Sequence, residues 1–99
     1  YAPVVEVATV KNLDGSLYLK LSGEFPLSCM KMSGPPIVLN RVSNVVEILP
    51  VAQKDETVKC EVGKFHFETS VPIGKLGEGP TLIHIRTMNG QAINKVLGL

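Results

Sequence analysis

The sequence predicts an all-β protein, a single antiparallel β-sandwich of seven to eight strands that spans residues 1–99 and carries one disulfide. Three observations support this fold class. Apolar residues recur with a period of two, as in half-buried strands, and not with the helical period of 3.6. Turn signals separate the apolar segments at intervals of about 8–12 residues, as in small sandwiches. The chain also contains an even pair of cysteines, Cys29 and Cys60.

Four segments in the first half of the chain are predicted to be strands, because they alternate or form short apolar runs between turn signals. They comprise residues 4–11, 17–22, 37–42 and 45–51. The alternation is clearest in the second segment, where the leucines share one face. Asp14-Gly15 is a hairpin signal between the first two segments, and Ser43-Asn44 breaks the last two.

Four segments in the second half follow the same pattern. They comprise residues 58–62, 65–71, 81–87 and 92–97. Cys60 alternates with charged neighbours, and we predict that it points inward together with Val58 and Val62. Asn89-Gly90 is a turn signal that leads into the last strand.

The cysteine pair predicts a disulfide between Cys29 and Cys60, and with it an exported protein. Disulfides persist in oxidising compartments such as the periplasm or the extracellular space, and they are rare in the cytosol. Closing a loop of this length stabilises a fold by about 3–4 kcal/mol, through the lost entropy of the unfolded chain. The alternative is a pair of buried free thiols in a cytosolic β protein. We expect the bridge, and therefore a secreted or periplasmic location.

Composition argues against two classes of function. The net charge is +1, and the ten basic residues are spread along the chain with acidic residues between them, whereas nucleic-acid binding usually requires a clustered basic face. No apolar run approaches the roughly 20 residues that a membrane-spanning helix needs. The chain starts at Tyr1 rather than at an initiator Met, so we expect a mature or excised segment. We therefore predict neither a nucleic-acid partner nor a transmembrane segment.

The last third of the chain contains a corner that leads into a closing hairpin. Its parts are residues 71–79, 81–88, 89–90 and 93–96. In this arrangement the chain resembles the immunoglobulin-like and fibronectin-like β-sandwich modules of bacterial exported proteins. The resemblance implies a sandwich fold and no active site, because many unrelated functions share that fold. The chain has no Trp, unlike antibody-type domains, in which a Trp packs against the disulfide.

One group of residues has soft ligands that suit copper. Met30 and Met32 place two thioethers on one side of an extended segment, and His66, His84 and Met88 lie elsewhere in the sequence. Thioether and imidazole groups are copper ligands. The histidines are far apart, however, and the chain has neither His-x-His nor His-x-Met spacing. We predict no metal site and no cofactor, and we keep a periplasmic copper carrier as an alternative function.

His66, Glu68 and Ser70 are predicted to share the outward face of one strand. Residues two apart on a strand are separated by about 6–7 Å, too far for direct hydrogen bonds between short side chains. A catalytic triad needs its base hydrogen-bonded to both the acid and the nucleophile, so we interpret these residues as a solvated polar face. The charged segment 53–57 lacks the spaced oxygen ligands of a calcium loop and is interpreted as a hairpin tip. The sequence therefore predicts no catalytic residues and no enzyme.

The best candidate for an interaction site surrounds two consecutive prolines. It comprises Met30, Met32, Pro35, Pro36 and Ile37. Consecutive prolines stiffen an extended segment, and a stiff apolar loop at one end of a sandwich loses little entropy when it docks. The alternative is a strand-to-strand crossover whose prolines protect a sheet edge. We predict a non-catalytic exported binding or structural module with a protein partner; a small exported hydrolase inhibitor is a second possibility.

Overall fold

The computed structural model describes residues 1–42, 44–74 and 79–97. This part of the chain is all-β, as the sequence predicts, with nine strands and one short 3-10 turn at Met88–Gly90. The strands are β1 (Val4–Lys11), β2 (Leu17–Leu27), β3 (Met30–Met32), β4 (Ile37–Val42), β5 (Val45–Leu49), β6 (Ala52–Lys54), β7 (Val62–Gly74), β8 (Thr81–Arg86) and β9 (Ala92–Leu97). Within the described ranges, no helix has the length and apolar character needed to cross a membrane.

The described strands form three sheets. Sheet A has the order β1-β2-β7, sheet B pairs β3 with β6, and sheet C has the order β4-β5-β8-β9. Every ladder is antiparallel except the one between β5 and β8, which is parallel. The chain leaves sheet C after β5, passes through β6 and β7, and returns at β8. A parallel pair requires a long connection of this kind. Sheet C is therefore mixed, whereas the sequence pattern predicts an antiparallel arrangement.

One hydrophobic core contains residues of sheets A and C. Its buried side chains are Ala2, Val4, Leu19, Leu21, Phe25, Ile48, Phe67, Val71, Ile83 and Ile85. Strand alternation sends Leu19 and Leu21 to the same side of β2, and both are fully buried, as the sequence predicts. Fully burying a large aliphatic or Phe side chain stabilises a fold by about 1.5–3 kcal/mol. Because the cluster draws on both sheets, each of them has one face toward the core and one face away from it.

The residues before β1 tie sheet A to the ends of two strands of sheet C. The Ala2 amide donates to the Pro50 carbonyl at 2.8 Å, and the Ala2 carbonyl accepts from the Met88 amide at 3.3 Å. Pro50 follows β5 and Met88 follows β8, so Ala2 bridges these two parallel neighbours where they end. The Ala2 side chain is completely buried in the core. The start of the chain is therefore part of the packed fold.

Gly23 allows this N-terminal segment to lie against β2. A Cβ atom at Gly23 would be 2.1 Å from the Pro3 carbonyl oxygen and about 3 Å from the Phe67 ring. Gly23 pairs with Val4 on one side and with Phe67 on the other. The Phe67 ring stacks on Phe25, with ring centroids 4.4 Å apart. Only glycine leaves room for the Pro3 backbone at this position, because every other residue carries a Cβ.

The Cys29–Cys60 disulfide forms as predicted, with its Cα atoms 5.0 Å apart. It joins the corner between β2 and β3 to the loop between β6 and β7. Backbone hydrogen bonds reinforce the connection, since the Ser28 amide donates to the Glu61 carbonyl and the Asp55 amide donates to the Cys29 carbonyl. Sheet B is thereby fastened to the end of sheet A.

The prediction of a strand over residues 58–62 is wrong. Residues 55–61 form a loop, and β7 starts at Val62. Asp55 begins this loop with a turn, in which its carboxylate accepts hydrogen bonds from the Thr57 hydroxyl and amide; these bonds lower the pKa of Asp55. Val58 and Val62 are 51% and 87% exposed, so neither shares an inward face with Cys60. The segment with alternating polarity is thus a loop, which a turn and a disulfide hold in place instead of a strand ladder.

The predicted turns agree with the structure better than the predicted strand over residues 58–62. Asn44 and Asn89 both have a φ of 66°, a left-handed conformation that Asn tolerates better than most residues. Gly15 has a φ of 89° in the hairpin between β1 and β2. The predicted turns at these positions are confirmed, although Ser43, the partner of Asn44 in the predicted break, lies outside the described residues.

Candidate binding face on sheet C

Sheet C has an outer face that is mainly aliphatic. The core contains Ile48 of β5 and Ile83 and Ile85 of β8. Because side chains alternate along a strand, the neighbouring residues of these strands point to the opposite side of the sheet. Cross-strand pairing extends this side onto β4 and β9. Its described side chains are Ile37, Leu39, Val45, Glu47, Leu49, Leu82, His84, Arg86, Ala92, Asn94 and Val96. We call this set the sheet C face.

The aliphatic side chains of the sheet C face do not belong to the core. Ile37 and Val96 are 50% and 49% exposed, while Leu39, Val45, Leu49 and Leu82 are half-buried. In the described chain, none of them is among the partly buried apolar residues that pack against the core cluster. Exposed apolar patches on a monomer commonly mark an interaction site. The face therefore presents aliphatic surface that the fold itself does not cover.

Glu47 lies near the middle of the sheet C face and is buried, with a relative exposure of 7%. Its Oε2 atom is 3.5 Å from Arg86 Nε, and the Arg86 side chain is 48% exposed. Removing a carboxylate from water is costly unless a charged or hydrogen-bonded partner compensates for the lost hydration. Glu47 has further contacts besides this ion pair. The carboxylate is thus engaged within the protein.

His84 and Asn94 continue the same row of the sheet. Glu47 is opposite His84 in the parallel ladder, and His84 is opposite Asn94 in the antiparallel one. The His84 Nδ1 and Asn94 Oδ1 atoms are 2.7 Å apart. Because an amide oxygen only accepts, His84 Nδ1 is the donor. This arrangement orients the imidazole ring and leaves its Nε2 atom directed away from Asn94. His84 is half-buried and does not belong to the core cluster.

The outer face of sheet A differs in its chemistry. It carries Glu6, Ala8, Val10, Tyr18, Lys20, Ser22, Glu24, His66, Glu68, Ser70 and Pro72. We call this set the sheet A face. His66, Glu68 and Ser70 are exposed, as predicted for a solvated polar face, and Glu68 is 3.9 Å from Lys20. This face is mainly polar and bears three carboxylates against one lysine.

The segment predicted as the interaction site is not a continuous exposed apolar loop. Met30 and Met32 lie in β3, where pairing with Lys54 and Ala52 turns both toward the core. Pro36 is buried, and only Pro35 and Ile37 are exposed. The expectation of a continuous exposed loop is therefore wrong, because a three-residue strand uses the two Met side chains for packing. Ile37 belongs to the sheet C face; that Pro35 takes part in binding stays a prediction.

The residues considered for copper are distributed over different parts of the fold. His66 lies on the sheet A face and His84 on the sheet C face, whereas Met30 and Met32 pack against the core. Among residues 1–42, 44–74 and 79–97, no group of three or more His, Cys, Asp or Glu is placed to hold a metal ion. The two imidazoles and the thioethers of Met30 and Met32 are therefore not brought together in the described geometry.

No known family, curated protein or solved structure matches this chain. The resemblance to immunoglobulin-like modules stays a prediction. Part of the corner on which it rests, residues 75–78, lies outside the described residues.

Two apolar runs in the sequence are a signal for the sheet C face. Residues 37–39 and 45–49 are apolar at most successive positions, and such runs indicate strands that meet apolar surroundings on both faces. Their second apolar face, the one away from the core, is the candidate site.

Proposed function

We propose that this protein is a non-catalytic exported module that binds a protein partner through the sheet C face. The observation that carries the proposal is the group of six aliphatic side chains on that face, which contribute nothing to the core. Burying apolar surface is the main driving force of most protein association. In the monomer the aliphatic surface of this face is in contact with water. A partner that covered the face would remove that surface from water.

The backbone of the face supports binding with a small entropic cost. Sheet ladders hold β4, β5, β8 and β9 in register, and a preorganised surface loses less conformational freedom on association than a mobile loop. Glu47 is already buried and paired, so covering it removes little further hydration. The central charge of the face is therefore compatible with an interface.

The composition of the face supports binding rather than catalysis. His84 is oriented by Asn94 as a general base would be, but a triad also needs a nucleophile within hydrogen-bonding distance. The described side chains of the sheet C face include no Ser, Thr, Cys, Tyr or Lys. A polar pair surrounded by aliphatic groups is typical of a recognition surface, where it fixes the orientation of the partner.

The disulfide supports an exported location, because such bonds are maintained in oxidising compartments. A small exported hydrolase inhibitor that binds through one stiff apolar loop would use the segment from Met30 to Ile37. Within that segment Met30 and Met32 pack against the core and Pro36 is buried. Because three of its five apolar side chains point inward, the geometry favours a face-binding module over a loop inhibitor.

The proposal is tested by comparing two matched surface variants. Val96→Asp places a charge on the sheet C face, and Val5→Asp places the same charge on β1, where Val5 is 69% exposed. Each variant is immobilised beside the wild type, after circular dichroism has shown that it is folded. Proteins retained from an extract of the source cells are compared by quantitative mass spectrometry, with soluble wild type as the competitor.

We expect a partner that the wild type and Val5→Asp retain, that soluble wild type displaces, and that Val96→Asp fails to retain. Retention of the same proteins by both variants would contradict the proposal, because the binding surface would then lie elsewhere.

A further inference from the structure

The inventory of donors and acceptors on the sheet C face indicates the chemistry of its partner. We infer that the partner inserts a carboxylate, flanked by apolar side chains, against Arg86. This inference rests on the proposed function and adds to it the class of side chain that the face recognises.

Arg86 supplies the donors. Its contact with Glu47 is an ion pair of 3.5 Å, and among the described residues its guanidinium makes no hydrogen bond. A guanidinium has five N–H donors in a planar fork that matches the two oxygens of a carboxylate. Half of the Arg86 side chain is accessible, since its exposed fraction is 48%. A carboxylate could therefore approach the outer edge of the guanidinium without displacing Glu47.

Asn94 adds donors beside Arg86. Its Oδ1 atom is engaged by His84, which leaves the two hydrogens of its Nδ2 group. In the described part of the chain no partner for this group is present. Arg86 and Asn94 are diagonal neighbours on β8 and β9. Arg86 pairs with Ala92, and His84, two residues before Arg86, pairs with Asn94 in the same ladder. The face thus offers two donor groups within one hairpin.

The one carboxylate of the face is already used. Glu47 is the sole carboxylate among the described side chains of the sheet C face, and it is buried and engaged. Donors left unpaired in an interface weaken binding, because they lose hydration without compensation. A partner must therefore bring an acceptor, and an ionised carboxylate makes the strongest hydrogen bonds with a guanidinium.

The same inventory argues against a second copy of this chain. Two sheet C faces packed together would offer Arg86 no available carboxylate, because Glu47 of the second copy is itself buried and engaged. The carboxylates of a second copy that lie on an outer sheet face belong to the sheet A face, where Glu6, Glu24 and Glu68 stand among polar neighbours. Packing that polar surface on the aliphatic groups of sheet C would dehydrate it without hydrogen bonds. A different protein, with an acidic residue between apolar ones, fits better.

The test uses two blocked peptides that differ in one group. They are acetyl-Gly-Leu-Glu-Val-Gly-amide and the same peptide with Gln in place of Glu. Each is titrated into the uniformly ¹⁵N-labelled wild-type protein, into Arg86→Gln and into the control Lys20→Gln, whose altered lysine lies on the sheet A face. Amide and Arg Nε–H chemical shifts report the site and the affinity.

We expect the Glu peptide to shift the signals of Glu47, His84, Arg86 and Asn94, and to bind wild type about tenfold more tightly than the Gln peptide, as one charge-assisted hydrogen-bonded pair allows. The preference should persist in Lys20→Gln and fall below about twofold in Arg86→Gln, while the weaker binding of the Gln peptide remains.

Three results would overturn the inference. These are equal affinity of the two peptides, shifts confined to other surfaces, and no binding at millimolar concentration. Concentration-dependent shifts of the same four residues without peptide would identify a second copy as the occupant. If any of these results is obtained while Val96→Asp still abolishes retention of a partner, the sheet C face remains a binding site and only the acidic character of its partner is refuted.

Discussion

The sheet A face and the sheet C face lie on the outer sides of the two larger sheets and differ in what they expose. The sheet A face carries Glu68 with its lysine partner in solvent. On the sheet C face, Glu47 is buried beside Arg86 and surrounded by aliphatic side chains. A carboxylate can thus serve as a solvated surface group or as the centre of an apolar face. What decides between the two is the set of cross-strand neighbours.

The two outer faces contribute differently to the protein. A polar outer face keeps a β protein soluble and prevents sheets from stacking. An aliphatic outer face stabilises nothing in the monomer unless something covers it. The predictions below either disrupt the scaffold that holds both faces or change one face while leaving the other intact.

The largest effect is expected at Gly23, which allows the N-terminal segment to lie against β2. In Gly23→Ala the new Cβ would be 2.1 Å from the Pro3 carbonyl oxygen, so the backbone must shift. We expect a loss of about 3 kcal/mol or more in the free energy of unfolding, measured by urea denaturation. Gly63→Ala is the matched control on β7. Its Cβ would meet only the Phe65 ring, and the cost should stay below about 1 kcal/mol. Similar losses at both glycines would show that the Pro3 contact is not decisive.

The disulfide is expected to have the next largest effect. Replacing Cys29 and Cys60 together by Ser should reduce the free energy of unfolding by about 3 kcal/mol, because the unfolded chain regains the entropy of an open loop. The bridge joins the corner between β2 and β3 to the loop between β6 and β7 and contains no residue of sheet C, so partner binding through the sheet C face should be unchanged while the variant is folded. Intact mass spectrometry checks the bridge itself, since the wild type should gain about 2 Da on reduction. Free thiols in the native wild type would contradict both the bridge and the exported location inferred from it.

Much of the fold could be predicted from local patterns. Leu19 and Leu21 alternate with polar neighbours, and the cysteine pair is even in number, so the all-β class and the disulfide followed from the sequence alone. The strand predicted at Val58 failed because alternation records side-chain polarity and not hydrogen bonding. Val58 and Val62 alternate with charged residues but are exposed in or beside a loop.

The candidate site was less accessible to sequence analysis. Met30 and Met32 are apolar residues next to a proline pair, and nothing local shows that a short ladder with β6 turns them inward. The pairing of Glu47 with His84 depends on a parallel ladder between strands that are far apart in the sequence. Apolar runs in β4 and β5 indicate that both faces are apolar, but only the assembled sheets show that one of those faces lies outside the core.

A smaller effect should separate the two glutamates directly. Glu47→Gln removes a buried charge beside Arg86, and we expect a loss of about 1–3 kcal/mol in the free energy of unfolding, as for hydrogen bonds and contacts to buried charged groups. Glu68→Gln removes a partner of Lys20 at 3.9 Å on the exposed face, and the loss should be below about 0.5 kcal/mol. Chemical denaturation of both variants at the same pH provides the comparison. Equal losses would show that Glu47 is no better integrated into the fold than a surface residue.

The smallest effect on stability should come from the aliphatic residues of the sheet C face, and it is the most informative for function. Ile37→Ser and Val96→Ser change side chains that are about half exposed and do not contact the core, so each should alter the free energy of unfolding by less than about 0.5 kcal/mol. Ile93→Ser is the control on the same strand as Val96, because Ile93 points the other way and packs against the core; its loss should exceed 1 kcal/mol, roughly the lower end for truncated core aliphatics. Partner binding should weaken in the first two variants, since the transfer of their side chains from water drives association. A large loss of stability in Val96→Ser would mean that the fold itself uses this surface, and the contrast between the two outer faces would then describe packing and not recognition.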